Sequence, residues 1–214
     1  MATAIIGTGG LGSVIATLLA AGGEEVRLAS ADAASAEALA KKVGPAAIVA
    51  ADNHEALKGA DAVVLALRFT VLQGVIDEIA DALGDAVVVV PSNPVGLDAR
   101  GKVERLLPEG QASGPLVSSW LPAGAHLALA FGTMSGSLLE PSANRSPEKA
   151  VLFYATDDDR AAEVVERLIR TAGFEPVKAG GVDVSSRLEV GGDLHDLVVG
   201  PAGARNAVAQ LPKR

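Results

Sequence analysis

Cysteine is absent from the 214-residue chain, which removes disulfides, thiolate nucleophiles and Cys-ligated zinc or iron–sulfur sites from consideration. Histidine is scarce as well. His54, His126 and His195 stand far apart without metal-ligand spacing, and no metal site is expected. Aromatic residues make up 3% of the sequence although 49% is hydrophobic, so the apolar bulk is Ala, Val, Leu and Ile. That composition suits buried parallel strands flanked by Ala-rich helices and argues against an aromatic-rich β-sandwich. Basic clusters are missing too. With a formal net charge of −8 and no Lys/Arg-rich stretch, no nucleic-acid partner is expected, because binding a phosphate backbone needs a basic face. The acidity reads as a device for solubility. No apolar run reaches membrane-spanning length without a Gly, Pro or charged residue, and the start Met-Ala-Thr-Ala-Ile-Ile-Gly lacks the charged n-region of a signal peptide. The expectation is a cytoplasmic protein with a small-molecule cofactor or substrate and no membrane association.

What is present is a rhythm of short β-branched runs and longer Ala/Leu-periodic segments, the pattern of a parallel α/β sheet. Strands are expected at residues 2–6, 26–29, 47–50, 62–67 and 86–90, with helices at about 13–21, 33–43, 53–57 and 69–83. In the last of these Val71, Leu72, Val75, Ile76, Ile79 and Leu83 share one side. Further strands are expected at 127–131, 151–155 and 174–177. Asp157 to Ala172 reads as a helix opened by acidic residues, with Val164, Val165, Leu168 and Ile169 as its inner stripe. Segments 92–115 and 132–149 are rich in Gly, Pro, Ser and Asn and read as loops over the carboxyl edge of the sheet. The last twelve or so residues read as a loose tail or an exchanged arm. The predicted fold is therefore α/β, a Rossmann-type doubly wound and mostly parallel sheet of about eight strands with a small C-terminal extension. Residues 1–180 form the dinucleotide-binding domain in this reading, and 181–214 a small segment that completes the substrate cleft or a dimer contact.

Gly7-Thr8-Gly9-Gly10-Leu11-Gly12 has the G-x-G-x-x-G spacing, with a strand before it and a helix after it. In that context Gly7 permits the tight turn, Gly9 lets backbone approach a pyrophosphate, and Gly12 lets helix and strand pack closely. The amides opening the helix then face the phosphates. At the end of the second strand, where an acidic residue would accept from an NAD ribose, the sequence has Arg27-Leu28-Ala29-Ser30-Ala31-Asp32. Ser30 leaves room for a 2′-phosphate and favours NADP(H) over NAD(H), although Ala31 stands where a phosphate-binding Arg is usual. Leu67, Arg68 and Phe69 leave the fourth strand beside the nicotinamide half of the cofactor. Phe69 is expected to wall the cleft and Arg68 to meet phosphate or an acidic substrate, with a core Phe and a surface Arg as the alternative.

With these residues the chain resembles the short NADPH-dependent reductases of the deazaflavin coenzyme F420. The resemblance covers most of the chain and is carried by Gly7–Gly12, by Pro91-Ser92-Asn93-Pro94, by Ala130-Phe131-Gly132-Thr133, and by Arg187-Leu188-Glu189 after Ala179-Gly180-Gly181. It implies a Rossmann fold, NADP (NADPH) as cofactor and F420 as co-substrate. It also implies that Asn93 and Pro94 form a turn beneath the nicotinamide and that Thr133, with Met134, lines the same cleft. The sequence departs from the family pattern at Leu129, where a Lys is expected, at Gly132 in place of Asn, at Ala31, and after Glu189, where residues 190–197 are not a long apolar helix.

Stacked nicotinamide and deazaflavin rings exchange hydride by proximity and need no protein acid or base. A chain without a His cluster or an obvious Ser/Lys/Tyr set suits that chemistry better than ketone reduction, which needs a proton donor. No catalytic residue is assigned. A dehydrogenase or reductase of a small carbonyl or imine stays open, with Asp193 and His195 as an acid–base pair or, alternatively, a solvated loop pair. So does a non-catalytic dinucleotide sensor. Trp120 reads as packing or subunit interface, and Asp157-Asp158-Asp159 as a helix start rather than a metal cluster. A homodimer is expected because the apolar segment 188–199 needs cover.

Overall fold

A computed structural model describes residues 1–210. Four βα steps and a fifth strand open the chain: β1 (Ala2–Ile6), α1 (Gly10–Ala21), β2 (Glu25–Ala29), α2 (Ala33–Val43), β3 (Ala47–Val49), α3 (Asn53–Leu57), β4 (Ala62–Leu65), α4 (Phe69–Ile79) and β5 (Val87–Val90). A hairpin, β6 (Val95–Leu97) and β7 (Val103–Arg105), leads to α5 (Ser113–Trp120) and β8 (His126–Leu129). The chain continues through α6 (Gly136–Ser142), β9 (Val151–Ala155), α7 (Asp159–Thr171) and β10 (Glu175–Gly180). A 3-10 turn (Val182–Arg187) and α8 (Pro201–Ala209) close it.

The eight-stranded sheet runs β10-β9-β8-β5-β4-β1-β2-β3. Its strands pair in parallel, except that β9 meets β8 antiparallel at Leu129 and Ala155. The mostly parallel, Rossmann-like sheet is thus as the strand rhythm predicts. β1, β4, β5 and β9 are buried along their whole length, which is why they read as unbroken apolar runs rather than alternating ones. Successive residues feed opposite faces: Ile5 packs with Ile15, Leu19 and Leu28 on one side, while Ala4 and Ile6 pack with Phe69, Leu72 and Ile76 on the other. Because β2 and β3 lie to one side of β1, and β4 and β5 to the other, the strand order reverses between β1 and β4. A crevice opens there above the carboxyl ends of the strands.

At the opposite, amino end of the sheet a partly buried ion pair ties β1 to α7. Glu24, 5% exposed, accepts from Thr3 Oγ1 at 2.7 Å and from Arg167 Nη1 at 2.6 Å.

Several segments differ from the sequence reading. The 92–115 stretch is a β6–β7 hairpin followed by the start of α5, and 132–149 contains α6. Their Gly, Ser and Pro residues mark turns and close contacts: a Cβ on Gly114 would stand 2.2 Å from the Val182 carbonyl oxygen, so α5 lies directly on the 3-10 turn. On α4, Val71 is 41% exposed while Leu72, Ile76 and Ile79 are buried, and the helix ends at Ile79. The loose tail is corrected to a helix as far as Ala209; residues 211–214 lie outside the described part. α8 begins on Pro201, whose missing N–H costs nothing at a first helical turn. Its last carbonyls, of Ala207, Val208 and Gln210, accept from the Arg187 guanidinium at 2.8, 3.1 and 3.0 Å. Segment 188–199 finds part of its cover within the chain, with Leu188 and Leu194 buried against Leu197, Val199 and Ala207, while Val190 is 39% exposed. Among the described residues no helix is long and apolar enough to cross a membrane.

Candidate active site

The crevice at the β1/β4 reversal is an open groove of about 790 Å³. Gly7, Thr8 and Gly9 form its floor, Ser30, Ala31 and Asp32 one end, and Leu67 and Arg68 the flank towards β4. The glycines differ in what they do. Gly7 has φ +99°, and a Cβ there would meet the Ala66 carbonyl oxygen at 2.4 Å. A Cβ on Gly12 would meet the Gly7 carbonyl oxygen at 2.0 Å. Both positions accept only glycine if turn, helix and strand are to close up. At Gly9 and Gly10 a Cβ would meet nothing within 4 Å; these residues keep the space above the turn open. Gly9 caps α1 without any side-chain hydrogen bond, so the first amides of that helix face the groove unpaired. Thr8 is buried with its hydroxyl 2.8 Å from Ser35 Oγ, and Leu11 packs on the core. Ser30 Oγ accepts from the Asp32 amide at 3.3 Å.

A second, much smaller pocket of about 20 Å³ lies at the carboxyl ends of β5 and β8. Ser92 links it to the groove, its hydroxyl donating to the Leu67 carbonyl at 2.6 Å. Asn93 braces the wall: Nδ2 donates to the Gly132 carbonyl at 2.9 Å, and Oδ1 accepts from the Val190 amide at 2.7 Å. Pro94 is buried, and its carbonyl accepts from the Leu106 amide at 2.8 Å. The chain leaves β8 through Phe131, fully buried with φ +66°, a conformation that a bulky residue holds only where its surroundings enforce it. Gly132 then crosses the β5 exit so closely that a Cβ would be 2.1 Å from the Pro91 carbonyl oxygen. The glycine in place of Asn is thus a packing requirement in this chain. Thr133 follows, 2% exposed, and its Oγ1 is buried without a hydrogen-bond partner. Met134 is buried in the core behind it.

Glu189 closes the cavity from the C-terminal segment and is 4% exposed. Oε1 accepts from the Ser113 amide at 2.8 Å and the Ser185 hydroxyl at 2.9 Å, and Oε2 accepts from Arg105 Nη2 at 2.8 Å. Ser185 Oγ accepts in turn from the Gly114 amide at 2.8 Å. This network joins the hairpin, α5 and the 3-10 turn. Motif reading singled out Glu189 but missed Arg105, Ser113 and Ser185. The available signal was a carboxylate inside the apolar run Leu188-Glu189-Val190.

Other expected residues fall elsewhere. Phe69 lines neither cavity; it is in the core with its ring centroid 5.5 Å from that of Trp120, so the core alternative holds for Phe69 and the packing reading for Trp120. Arg68 is exposed on the groove at the start of α4. Asp193 and His195 do not pair. Asp193 binds the Arg187 guanidinium at 2.7 Å, and His195 Nδ1 is 3.6 Å from Asp196. Asp158 caps α7 by accepting from the Ala161 amide at 2.7 Å, and His126 Nδ1 lies 2.8 Å from its other oxygen. Partial burial raises the Asp158 pKa, but these contacts outweigh it and hold the carboxyl below the usual range.

Strand order, glycine turn and unpaired helix amides at the switch point together define a dinucleotide-binding fold of Rossmann type. Comparison with known proteins narrows this. Residues 2–94 match the family described as NADP oxidoreductase, coenzyme F420-dependent. The chain is 30% identical over 200 residues to the F420-dependent NADP reductase of Methanothermobacter thermautotrophicus, covering 88% of this chain and 85% of that protein. A structure of a hypothetical protein from Sinorhizobium meliloti aligns with TM-score 0.79 and 26% identity over 94% of this chain and 95% of that one. One from Arthrobacter sp. FB24, assigned there as an F420-dependent NADP reductase, aligns with TM-score 0.71 and 20% identity over 84% and 85%, and shows the shared fold. The chain belongs to the coenzyme F420-dependent NADP oxidoreductase family and is an NADP-dependent oxidoreductase.

Proposed function

We propose that the chain transfers hydride between NADPH and coenzyme F420, holding the dinucleotide in the groove and the deazaflavin ring over the mouth of the small adjoining pocket. The observation that carries this reading is the state of Glu189. It is the one titratable side chain lining the smaller cavity among the described residues, and both its oxygens are already engaged. A cavity whose one titratable group is already engaged suits hydride exchange between two rings that carry the chemistry themselves. It suits reduction of a carbonyl or imine poorly. Asp193, bound to Arg187 and not to His195, weakens that alternative further.

The residues divide the task. The turn Gly7-Thr8-Gly9-Gly10-Leu11-Gly12 and the first amides of α1 hold the pyrophosphate, and Ser30 faces the adenine-side ribose. Arg68 and the Leu67 backbone flank the bridge towards β4. Asn93 and Pro94 set the floor under the nicotinamide, and the unpartnered hydroxyl of Thr133 supplies a hydrogen bond at the ring's edge. Val90, Leu129, Ala130 and Leu188 exclude water. The described part of 181–214 completes the acceptor side through Ser185, Leu188 and Glu189.

Stopped-flow absorbance of protein mixed with NADPH, with and without oxidised F420, tests the proposal. Rapid NADPH oxidation only in the presence of F420 is expected. Tight NADPH binding without turnover would overturn it.

A further inference from the structure

Ser30 ends β2, where the adenine-side ribose of a dinucleotide lies in this fold, and its surroundings in the groove are acidic. Asp32 and Asp52 line that end. Both carboxylates are fixed as helix caps: Asp32 Oδ1 accepts from the Ala34 amide at 3.2 Å, and Asp52 Oδ1 accepts from the Glu55 amide at 2.7 Å. Arg68 is the one cation lining the groove among the described residues. It follows β4, on the far side of β1 from β2, and two strand spacings put it roughly 10 Å away. Arg27, on β2 itself, is drawn to Glu25 at 3.0 Å.

A 2′-phosphate placed here would bring nearly two negative charges beside two carboxylates. Its near partner would be Ser30 Oγ, which already accepts from the Asp32 amide. The free 2′-hydroxyl of NADH is instead a donor, and it would meet acceptors. Ala31, exposed between Ser30 and Asp32 on the groove wall, is the position from which a guanidinium would reverse that balance. We infer that this chain discriminates little between NADH and NADPH, and that residue 31 sets the ratio. The inference rests on the groove being the dinucleotide site, as proposed above, and leaves the identity of the acceptor aside.

Fluorescence titration of the full chain with NADH and with NADPH, at one ionic strength and without acceptor, tests it. The Kd for NADH is expected to be no more than tenfold above that for NADPH. Ala31→Arg should raise the preference for NADPH at least tenfold, with the gain shrinking in high salt. Asp32→Asn, which keeps a capping side chain, should raise it severalfold. Wild-type NADPH binding more than tenfold tighter than NADH, or an unchanged ratio in Ala31→Arg, would overturn the inference. Failure of both nucleotides to bind would instead overturn the reading of the groove.

Discussion

A single turn holds glycines with two separate duties, and mutation should separate them. Gly12 is enclosed by the Gly7 carbonyl and Gly9 is open to the groove. Gly12→Ala is predicted to destabilise the chain by about 3 kcal/mol, as overpacking against backbone does, read as a lower urea midpoint. Gly9→Ala should leave the unfolding free energy within roughly 0.5 kcal/mol of wild type, the usual range for an open position, and still weaken NADPH binding at least tenfold in a fluorescence titration. Equal loss of stability in both would show that Gly9 serves only the framework. Thr133 offers a similar contrast. Its hydroxyl is buried without a partner, so Thr133→Val removes an unsatisfied group, and the melting temperature should hold or rise. Turnover should fall if that hydroxyl meets the nicotinamide. At this scale the glycine spacing was legible because Gly7 and Gly12 answer a local steric need and Gly9 keeps the turn open. The positive φ of Phe131 was not, since a bulky side chain carries no such signal and tertiary packing alone enforces the conformation.

Between elements, Arg105 and Glu189 fasten the hairpin to the 3-10 turn across the mouth of the cavity. Arg105→Met leaves a carboxylate buried with its neutral partners only and should cost about 3 kcal/mol; Glu189→Gln keeps the acceptor for Ser113 and should cost less. In urea unfolding the double variant should recover at least about 1 kcal/mol relative to the sum of the singles. Additive losses would mean the pair is not coupled. The cap of α7 gives a pH-dependent prediction. The Asp158 pKa is lowered in the folded state, so its contribution is complete above the unfolded carboxylate value of about 4 and is lost as pH falls through the lower folded value. Asp158→Ala should therefore cost about 1 kcal/mol at neutral pH, and its gap to wild type should close under acid. A gap independent of pH would contradict the assignment. Periodicity revealed α7 and the strands, whose partners are dictated by burial. It did not reveal the hairpin, α6 or α8, which are short, Gly- and Pro-rich, and stabilised by contacts such as Arg187 with the carbonyls of α8 that lie far along the sequence.

Over the whole molecule, function follows from where the sheet reverses. The β1/β4 switch opens the groove, and β5 and β8 carry the second cavity beside it, with Ser92 bound to the Leu67 carbonyl across the join. The central claim is that hydride passes directly between ligands held at these two places. It is tested most directly by supplying NADPH deuterated at both C4 positions, with oxidised F420 in ordinary water, and weighing the reduced deazaflavin by mass spectrometry. One deuterium carried into the product is expected. Reduced F420 without deuterium would show that the hydrogen comes by way of solvent or a protein group, and would contradict direct transfer.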